Sequence, residues 1–298
     1  MGKFQIGYSG YDWRPLYNSV DASLLLFEEV KRFLKYTNEY EWVRENIYPS
    51  LVKIMNAYQT RIDIDGNNIY MDKDYLISSG TEKIQNTWLD AKVGDYVVTT
   101  RNGKAVEVNS MWYNALKVME ELTILMRGKE EAKRYSDLAK KCKESFNKKF
   151  YNKRRKCLYD VLGDSKIRPN QLFALSLSYP VIDPASEVAR EILNTVEKKL
   201  LTPYGLRTLA KGEPQYCETY EGDMKNRDMN YHQGVIWTWL LGLYYDALNN
   251  MIKAEKNKAT KKELENKLAD FKANTKKTFI KEMSDGGSVG SICELYDI

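Results

Sequence analysis

Two carboxylates far apart in the sequence are the first candidates for chemistry. Asp90 follows Trp88 in the segment Thr87–Lys92, and Glu294 lies near the carboxyl terminus in Ser291–Leu295. The chain has 22 tyrosines and 6 tryptophans but only one histidine. Paired carboxylates with many aromatic side chains are typical of sugar cleavage, because an aromatic face packs against the C–H face of a pyranose.

The two carboxylates would need different surroundings to act as acid and base. Cleavage of a glycosidic bond by two carboxyl groups needs one of them protonated at the leaving oxygen and the other ionised. A shielded pocket beside Trp88 would keep Asp90 protonated, because burial disfavours the charged form of a carboxyl. Read alone, Asp90 also fits a cap in a turn, and Glu294 also fits a frayed terminal acid.

The composition excludes several other classes of protein. The 298 residues include 46 basic and 41 acidic ones, and the lysine-rich stretches lie beside acids in helical patterns. Such stretches are typical of solvated helix faces and not of a nucleic-acid surface. The four cysteines have no C-x-x-C spacing and only one histidine is present, so we predict no metal site and no cofactor. Reduced thiols in a cytoplasmic protein are the simplest interpretation.

Membrane attachment is not expected from the sequence. No signal-peptide pattern precedes Tyr8. The longest apolar stretch runs from Trp237 to Tyr245 and is too short to span a bilayer. We therefore predict a cytoplasmic protein without membrane or nucleic-acid partners.

Helical periodicity dominates the chain and predicts about eight helices. In several helical pairs one member is apolar and the other is rich in lysine, which indicates an inner ring of helices covered by an outer one. The fold class is therefore all-α. We place the helices near 19–36, 41–59, from an N-cap at Asn109 or Ser110 onwards, and near 129–150, 169–179, 184–200, 232–250 and 260–282.

One segment interrupts the helical pattern directly after Asp90. The runs Tyr96–Thr100 and Ala105–Val108 have β-type composition, and the turn dipeptide Asn102-Gly103 lies between them. This pattern predicts a small β-hairpin near 96–108 that leads into the next helix. Neither a repeat nor a linker divides the chain, so residues 1–298 are predicted to form a single helical domain.

Six segments of the chain resemble, in the same order, the amylo-α-1,6-glucosidase domain at the carboxyl end of glycogen debranching enzymes. One such motif alone would be weak, but six in order make a chance resemblance improbable. The segments are Val20–Leu24, Thr87–Asp95, Gly103–Leu116, Ile167–Gln171, Leu201–Arg207 and Arg227–Trp237.

The resemblance implies a fold, a reaction and two catalytic residues. The implied fold is an (α/α)6 barrel, or toroid. The implied reaction is hydrolysis, with inversion, of single α-1,6-linked glucose stubs on glycogen or a limit dextrin, with Asp90 as general acid and Glu294 as general base. Domains of this family are longer, so we expect the first and last barrel helices to be missing here. The missing first pair of helices would expose apolar surface of the inner ring, which favours association into a homo-oligomer. The transferase domain of the bifunctional family members has no counterpart in this sequence, so we expect it on another part of a longer chain or on another protein.

The candidate substrate-binding residues are polar or aromatic. Sugar hydroxyls need paired donors and acceptors, and sugar rings need aromatic faces. The polar candidates are Asp21, Glu107, Asn109, Arg168, Asn170, Gln171, His232 and Gln233, and the aromatic ones are Trp88, Trp112, Tyr113, Tyr231 and Trp237. Other interpretations stay open: helix capping for Asp21 and Asn170, a cross-strand lysine partner for Glu107, and core packing for Trp112 and Trp237.

Other functions are compatible with parts of the pattern. Another inverting α-glycosidase on the same barrel, similar to glucoamylase or trehalase, would use the same carboxylates. A truncated, non-catalytic glucan-binding domain would retain the aromatic residues. An isoprenoid-type helical barrel fits poorly, because that chemistry needs acid clusters or Cys/His metal ligands. A serine triad around His232 fails for want of a G-x-S-x-G segment.

Overall fold

Helices form most of the secondary structure in the computed structural model, which describes residues 19–61, 63, 66–286 and 289–297. The stretch before Ser19, for which no leader is expected, lies outside the described residues. A 3-10 helix spans Pro169–Leu172. The α-helices of the described residues are α1 (Ala22–Thr37), α2 (Tyr40–Asn46), α3 (Tyr48–Gln59), α4 (Val106–Arg127), α5 (Lys129–Lys149), α6 (Phe173–Ser176), α7 (Glu187–Lys199), α8 (Met224–Asn230), α9 (Leu240–Ala254) and α10 (Lys258–Asp285).

The strands are short and pair only in antiparallel fashion. Three hairpins join β1 to β2, β3 to β4 and β5 to β6, and a three-stranded sheet has the order β7-β8-β9. The strands are β1 (Tyr70–Met71), β2 (Ile77–Ser78), β3 (Lys92–Val93), β4 (Tyr96–Val97), β5 (Tyr151–Asn152), β6 (Cys157–Leu158), β7 (Leu206–Arg207), β8 (Ile236–Trp237) and β9 (Leu295–Tyr296). The all-α fold class with small β-hairpins is thereby confirmed.

The described residues form two compact units. One comprises the described residues up to Phe150 together with Leu177–Val181, and the other comprises Tyr151–Ser176 and the described residues from Ile182 onwards. These units are groups of contacts within one chain, so the single catalytic domain stays a prediction. None of the described helices combines the length and the apolar composition needed to cross a membrane.

The first unit is built on α4 and its partner α5. Most side chains of α4 are buried, including its whole first half. Helix α5 is lysine-rich and buries a single stripe that lies against α4. The stripe consists of Ala132, Tyr135, Ala139, Cys142 and Phe146, which is the i, i+3, i+7 spacing of one helical face. This pair has the buried and solvated members that the periodicity predicted.

The second unit follows the same rule. Helix α7 begins at the N-cap Ser186, whose hydroxyl accepts a hydrogen bond from Ala189 N, and it buries only the stripe that includes Ile192 and Val196. Helix α10 covers α9 with few buried side chains of its own, among them Leu264 and Phe279. The unit therefore has an apolar helix covered by a charged one.

Some predicted element boundaries are wrong. Helix α4 begins at Val106, so the run Ala105–Val108, predicted as a strand, leads into a helix. The hairpin lies earlier, at β3 and β4, while Gly103 instead bridges to Ser79. The helix predicted over 41–59 breaks at Ile47, because the proline at the start of α3 lacks the N–H that a continuous helix needs.

The helix predicted over 232–250 starts only at Leu240. Gly234 has φ +143°, and a Cβ there would lie 2.3 Å from Cys217 O. Such a conformation and such a close approach suit only glycine and interrupt the helix. The residues that follow form β8 instead, and the short helix α8 before them was not predicted.

Candidate active site

The segment that carries Asp90 is tied to the start of α1 through Asp21. The Asp21 carboxylate accepts hydrogen bonds from Ser19 Oγ, at 2.7 Å, and from the backbone amide of Trp88. Val20 N also donates to Asn86 O at 2.8 Å. Burial raises the pKa of Asp21, and these hydrogen bonds oppose the shift. Asp21 therefore anchors the Asp90 segment as well as occupying the N-cap position of α1.

Asp90 itself faces solvent. Asp90 is exposed, whereas its neighbours Leu89 and Ala91 are buried and Trp88 is half-buried. Val98 N donates to Ala91 O at 3.1 Å and secures the segment beyond it. The shielded pocket expected around Asp90 is not seen, because the carboxyl is exposed in this structure.

A buried ion pair between Arg101 and Glu107 supports the segment that carries Asp90. The two terminal nitrogens of the Arg101 guanidinium both donate to the Glu107 carboxylate, and the Nη2–Oε2 distance is 2.6 Å. Both side chains are almost completely buried. Arg101 also donates to Thr87 Oγ1 at 3.1 Å. Glu107 lies in the first turn of α4, where the helix dipole favours a negative charge. The alternative interpretation of Glu107 as the partner of a lysine is not seen: its partner is Arg101, which was not predicted.

Two other predicted binding residues of the first unit, Asn109 and Trp112, lie in its core. The Asn109 side chain accepts from Ile77 N at 2.7 Å and donates to Ile77 O at 3.0 Å, so it fastens β2 to α4. Trp112 is fully buried and donates to Tyr75 O at 3.2 Å. A fully buried indole has no open face for a sugar, so core packing describes Trp112 better than a stacking platform does.

Tyr113 faces α5 and not the Asp90 segment. Its ring lies 5.6 Å from Lys143 Nζ, and its side chain is almost fully buried. Burial raises the pKa of Tyr113 to about 12, with smaller contributions from Cys142 and Glu120. This residue joins the two helices and has no solvent-facing ring in this structure.

Arg168 organises the candidate site of the second unit. It is buried, and it donates to Thr208 O at 2.9 Å, to His232 O at 2.7 Å and to Gln233 Oε1 at 2.8 Å. Its Nε lies 3.7 Å from Asp160 Oδ2. A buried guanidinium needs such partners to offset its loss of hydration. Arg168 thus holds the His232–Gln233 segment against the core.

Asp160 is a second residue that was not predicted. It is buried, and it accepts a hydrogen bond from Asn170 Nδ2 at 2.8 Å. Gln171 donates to Arg168 O at 2.9 Å and accepts from Leu158 N at 3.3 Å. Asn170 and Gln171 therefore position Arg168 and its acid, and their amides are buried in this structure.

An aromatic cluster lies next to this polar network. The Tyr231 ring lies 4.6 Å from the His232 ring and 4.9 Å from the Trp237 ring, and His232 stacks on Trp237 at 5.3 Å. Trp237 also donates to Tyr231 O at 3.1 Å. His232 and Trp237 are buried, whereas Tyr231 is half-buried. The accessible ring of this cluster is therefore that of Tyr231.

Glu294 is fixed in position by the three-stranded sheet. The residue after it, Leu295, pairs with Trp237, and Tyr296 pairs with Ile236. Thr238 Oγ1 donates to the carbonyl of Cys293 at 3.4 Å. Glu294 is exposed and directly precedes β9. The interpretation as a frayed terminal acid is not supported by this pairing.

The structure thus gathers the predicted residues into two clusters, one in each unit. Each cluster pairs an exposed carboxylate with buried polar side chains that hold its surroundings. The first contains Asp21, Trp88, Asp90 and Glu107, and the second contains Arg168, Asn170, Gln171, Tyr231, His232, Gln233, Trp237 and Glu294. Within the described ranges, no group of three His, Cys, Asp or Glu side chains is arranged to hold a metal ion.

Sequence comparison identifies related proteins. Residues 8–293 match the family described as amylo-alpha-1,6-glucosidase, and the match ends one residue before Glu294. A curated relative is the glycogen debranching enzyme of Saccharomyces cerevisiae, which is 24% identical over 258 residues. That alignment covers 69% of this chain and 16% of the yeast protein.

Structural comparison gives similar folds at low sequence identity. A sialidase has a TM-score of 0.62 and 15% sequence identity, and the match covers 91% of this chain and 23% of the sialidase chain. The GH78 family rhamnosidase of Bacillus sp. GL1 has a TM-score of 0.54 and 14% sequence identity, and the match covers 92% of this chain and 22% of the rhamnosidase chain. The chain spans less than a quarter of the length of each of these relatives.

Proposed function

The chain belongs to the amylo-alpha-1,6-glucosidase family, and from this premise we propose that it hydrolyses single α-1,6-linked glucose stubs on glycogen or a limit dextrin. One observation carries the proposal. The segments that resemble the family contribute the buried networks around Asp21 and Arg168, and each network lies in the same unit as one exposed carboxylate, Asp90 or Glu294.

In the proposed reaction Asp90 is the general acid and Glu294 is the general base. Asp90 gives its proton to the glycosidic oxygen as the bond to the anomeric carbon breaks. Glu294 takes a proton from the water that attacks that carbon from the opposite face. Inversion needs the two carboxyl groups to lie roughly 6.5–9.5 Å apart, so that the water fits. The first product from an α-linked stub is then β-glucose.

The proposed binding surface uses the aromatic rings that remain accessible. Trp88 and Tyr231 are half-buried, so each has ring area that can pack against the C–H face of a glucosyl unit. The buried amides and carboxylates behind them hold these rings and their backbones in place. In this proposal Asn109, Trp112 and Tyr113 support the substrate site through packing and do not contact the sugar.

The test is glucose release from a limit dextrin with single α-1,6-glucosyl stubs. We expect activity in the wild type, with losses of about 10²–10⁴-fold in Asp90→Asn and Glu294→Gln, the range typical of general acid–base catalysis. The matched controls are Asp137→Asn and Glu265→Gln, which alter exposed carboxylates outside the family-like segments and should keep wild-type rates. Full activity in Asp90→Asn would overturn the assignment of the acid.

Stereochemistry and substrate range test the finer parts of the proposal. Proton NMR of the first turnovers should show β-glucose before mutarotation, and α-glucose would contradict inversion. Branched and linear glucans should be compared in parallel. Faster hydrolysis of linear chains, or of trehalose, would favour a glucoamylase- or trehalase-like enzyme instead.

A second candidate function is glucan binding without turnover. The exposure of Asp90 favours it, because the shielded pocket expected around a general acid is not seen at that residue. Glucan binding by both wild type and Glu294→Gln, with no glucose release by either, would support this candidate.

The surroundings of the proposed enzyme are part of the same proposal. The α-glucan is the proposed partner, and the transferase step that exposes the stub would come from another domain or another protein. All four cysteines are free thiols, which accords with a reducing, cytoplasmic location. Gel filtration with light scattering would test the expected homo-oligomer.

A further inference from the structure

A cleft lies in the second unit, along α10. It is a cleft of about 570 Å³, a size that suits a small-molecule ligand. None of the catalytic or substrate-binding candidates named above lines it. The lining residues are Leu201, Thr202, Pro203, Tyr204, Tyr244, Lys267, Phe271, Asn274, Thr275, Lys277, Thr278 and Lys281.

One face of α10 forms a long side of this cleft. Lys267, Phe271, Asn274, Thr278 and Lys281 recur at intervals of three and four residues, so they lie along one stripe of the helix. The stripe joins an aromatic ring to polar and cationic groups. Phe271 and Lys267 have partners within the unit, whereas Asn274 and Lys281 of the same face are exposed.

The opposite wall is aromatic and rigid. Tyr204 stacks on Tyr296 with the ring centres 4.6 Å apart, and it meets Phe279 edge to face at 6.4 Å. Tyr244 meets Phe271 edge to face at 4.8 Å. Rings held by such contacts lose little freedom when a ligand packs against them. Tyr244 is buried, whereas Tyr204 is half-buried, so Tyr204 is the ring of this wall that can receive the apolar face of a sugar.

The charge of the cleft is positive. Lys267 is compensated, because its Nζ lies 2.8 Å from Glu197 Oε2 and Glu197 also accepts from the Tyr244 hydroxyl at 2.8 Å. Lys277 and Lys281 are exposed. The described lining residues include no acid, so the charges of these two lysines are not offset within the cleft. A neutral ligand would not use them.

We propose that this cleft binds a monosaccharide phosphate. The sugar ring packs on the aromatic wall, and the phosphate accepts hydrogen bonds from Lys277 and Lys281. Thr278 and Asn274 provide a hydroxyl and an amide that can donate to and accept from sugar hydroxyls. The combination of an aromatic wall, paired polar groups and two uncompensated cations fits a phosphorylated sugar better than a neutral glucan or a bare anion.

Calorimetric titration of the whole chain with glucose 6-phosphate tests the proposal. Glucose and inorganic phosphate serve as the two comparison ligands. We expect saturable 1:1 binding of glucose 6-phosphate, and binding at least about tenfold weaker for either comparison ligand, because each makes only part of the contacts. The double variant K277A/K281A should weaken glucose 6-phosphate binding by at least about tenfold.

The matched control removes the same charge from the same helix. K258A/K262A alters two exposed lysines near the start of α10, outside the cleft, and should bind within about twofold of the wild type, because a distant exposed charge is screened by salt. Phe271→Leu keeps an apolar side chain of similar size but removes the aromatic face, so it should weaken the sugar phosphate more than it weakens inorganic phosphate.

Three results would overturn the proposal. They are the absence of saturable glucose 6-phosphate binding at millimolar concentration, equal weakening in the two double variants, and inorganic phosphate binding as tightly as the sugar phosphate. The readout is binding and not turnover, so the proposal stands or fails independently of the proposed glucosidase activity.

Discussion

Removing the carboxylate of Glu107 should strongly destabilise the first unit. Glu107 and Arg101 are 0% and 2% exposed in their side chains, so loss of the acid leaves a buried guanidinium with only part of its compensation. Breaking a buried ion pair in this way typically costs about 3–5 kcal/mol. Glu107→Gln keeps the volume and can keep one hydrogen bond to Arg101, so we expect the lower end of this range.

The assay is urea unfolding followed by tryptophan fluorescence, with the change in midpoint converted into a change in the free energy of unfolding. The matched control is Glu41→Gln, which removes an exposed i,i+3 pair to Arg44 at 2.5 Å. An exposed pair is worth roughly 0–1 kcal/mol, because water and salt screen it. The buried and exposed variants should therefore differ by about 2 kcal/mol or more.

A double variant tests whether the cost comes from the stranded charge. In Arg101→Met with Glu107→Leu both charges are replaced by apolar groups, so the loss should be well below the sum of the two single losses. A Glu107→Gln protein as stable as Glu41→Gln would refute the reasoning. So would strict additivity in the double variant, because the two side chains would then not be coupled.

Three further predictions concern the anchors of the two candidate clusters. Burial raises the pKa of Asp21 in the folded state, so its contribution to stability is present at acid pH and is lost as the pH rises through the folded pKa. The urea midpoint of Asp21→Asn should therefore rise relative to that of the wild type as the pH increases from 4 to 7. A relative midpoint that falls over this pH range would contradict the prediction. Gly205→Ala places a Cβ 2.4 Å from Trp237 O and should destabilise the sheet next to Glu294 by about 1–3 kcal/mol. The control is Gly242→Ala in α9, whose Cβ meets nothing within 4 Å and which should be neutral or slightly stabilising. Thermal melts of both variants measure the difference. Arg168→Met should leave the Asp160 carboxylate buried without its guanidinium and cost about 3–5 kcal/mol, and a melting temperature unchanged from wild type would show that Arg168 does not hold the network.

Helical periodicity was enough to predict the class of the fold and several helices. The apolar positions Leu24, Phe27 and Leu34 do form the buried stripe of α1, and α5 has the single buried face that its lysine content indicated. These features are local: a helix repeats every 3.6 residues, so one buried face leaves a mark in the sequence itself. The ordered motifs likewise predicted the family from the sequence alone.

Boundaries of elements were harder to predict, because they depend on residues far along the chain. Asn102-Gly103 is a good turn signal, but Gly103 bridges to Ser79 and the hairpin forms earlier. Val106 begins a helix although its neighbours have β-type composition, and Asn109, predicted as an N-cap, lies inside that helix and bonds to the backbone of Ile77. Contacts of this kind override local preference.

The partners within the candidate site were decided by the tertiary structure. The sequence identified Glu107 and Arg168 as candidates but not Arg101 and Asp160, whose roles come only from the ion pairs that folding creates. It also predicted a shielded Asp90, whereas that residue is exposed between the buried Leu89 and Ala91. Residue type and order determine which chemistry is available, but burial and pairing depend on atoms that meet only after the chain has folded.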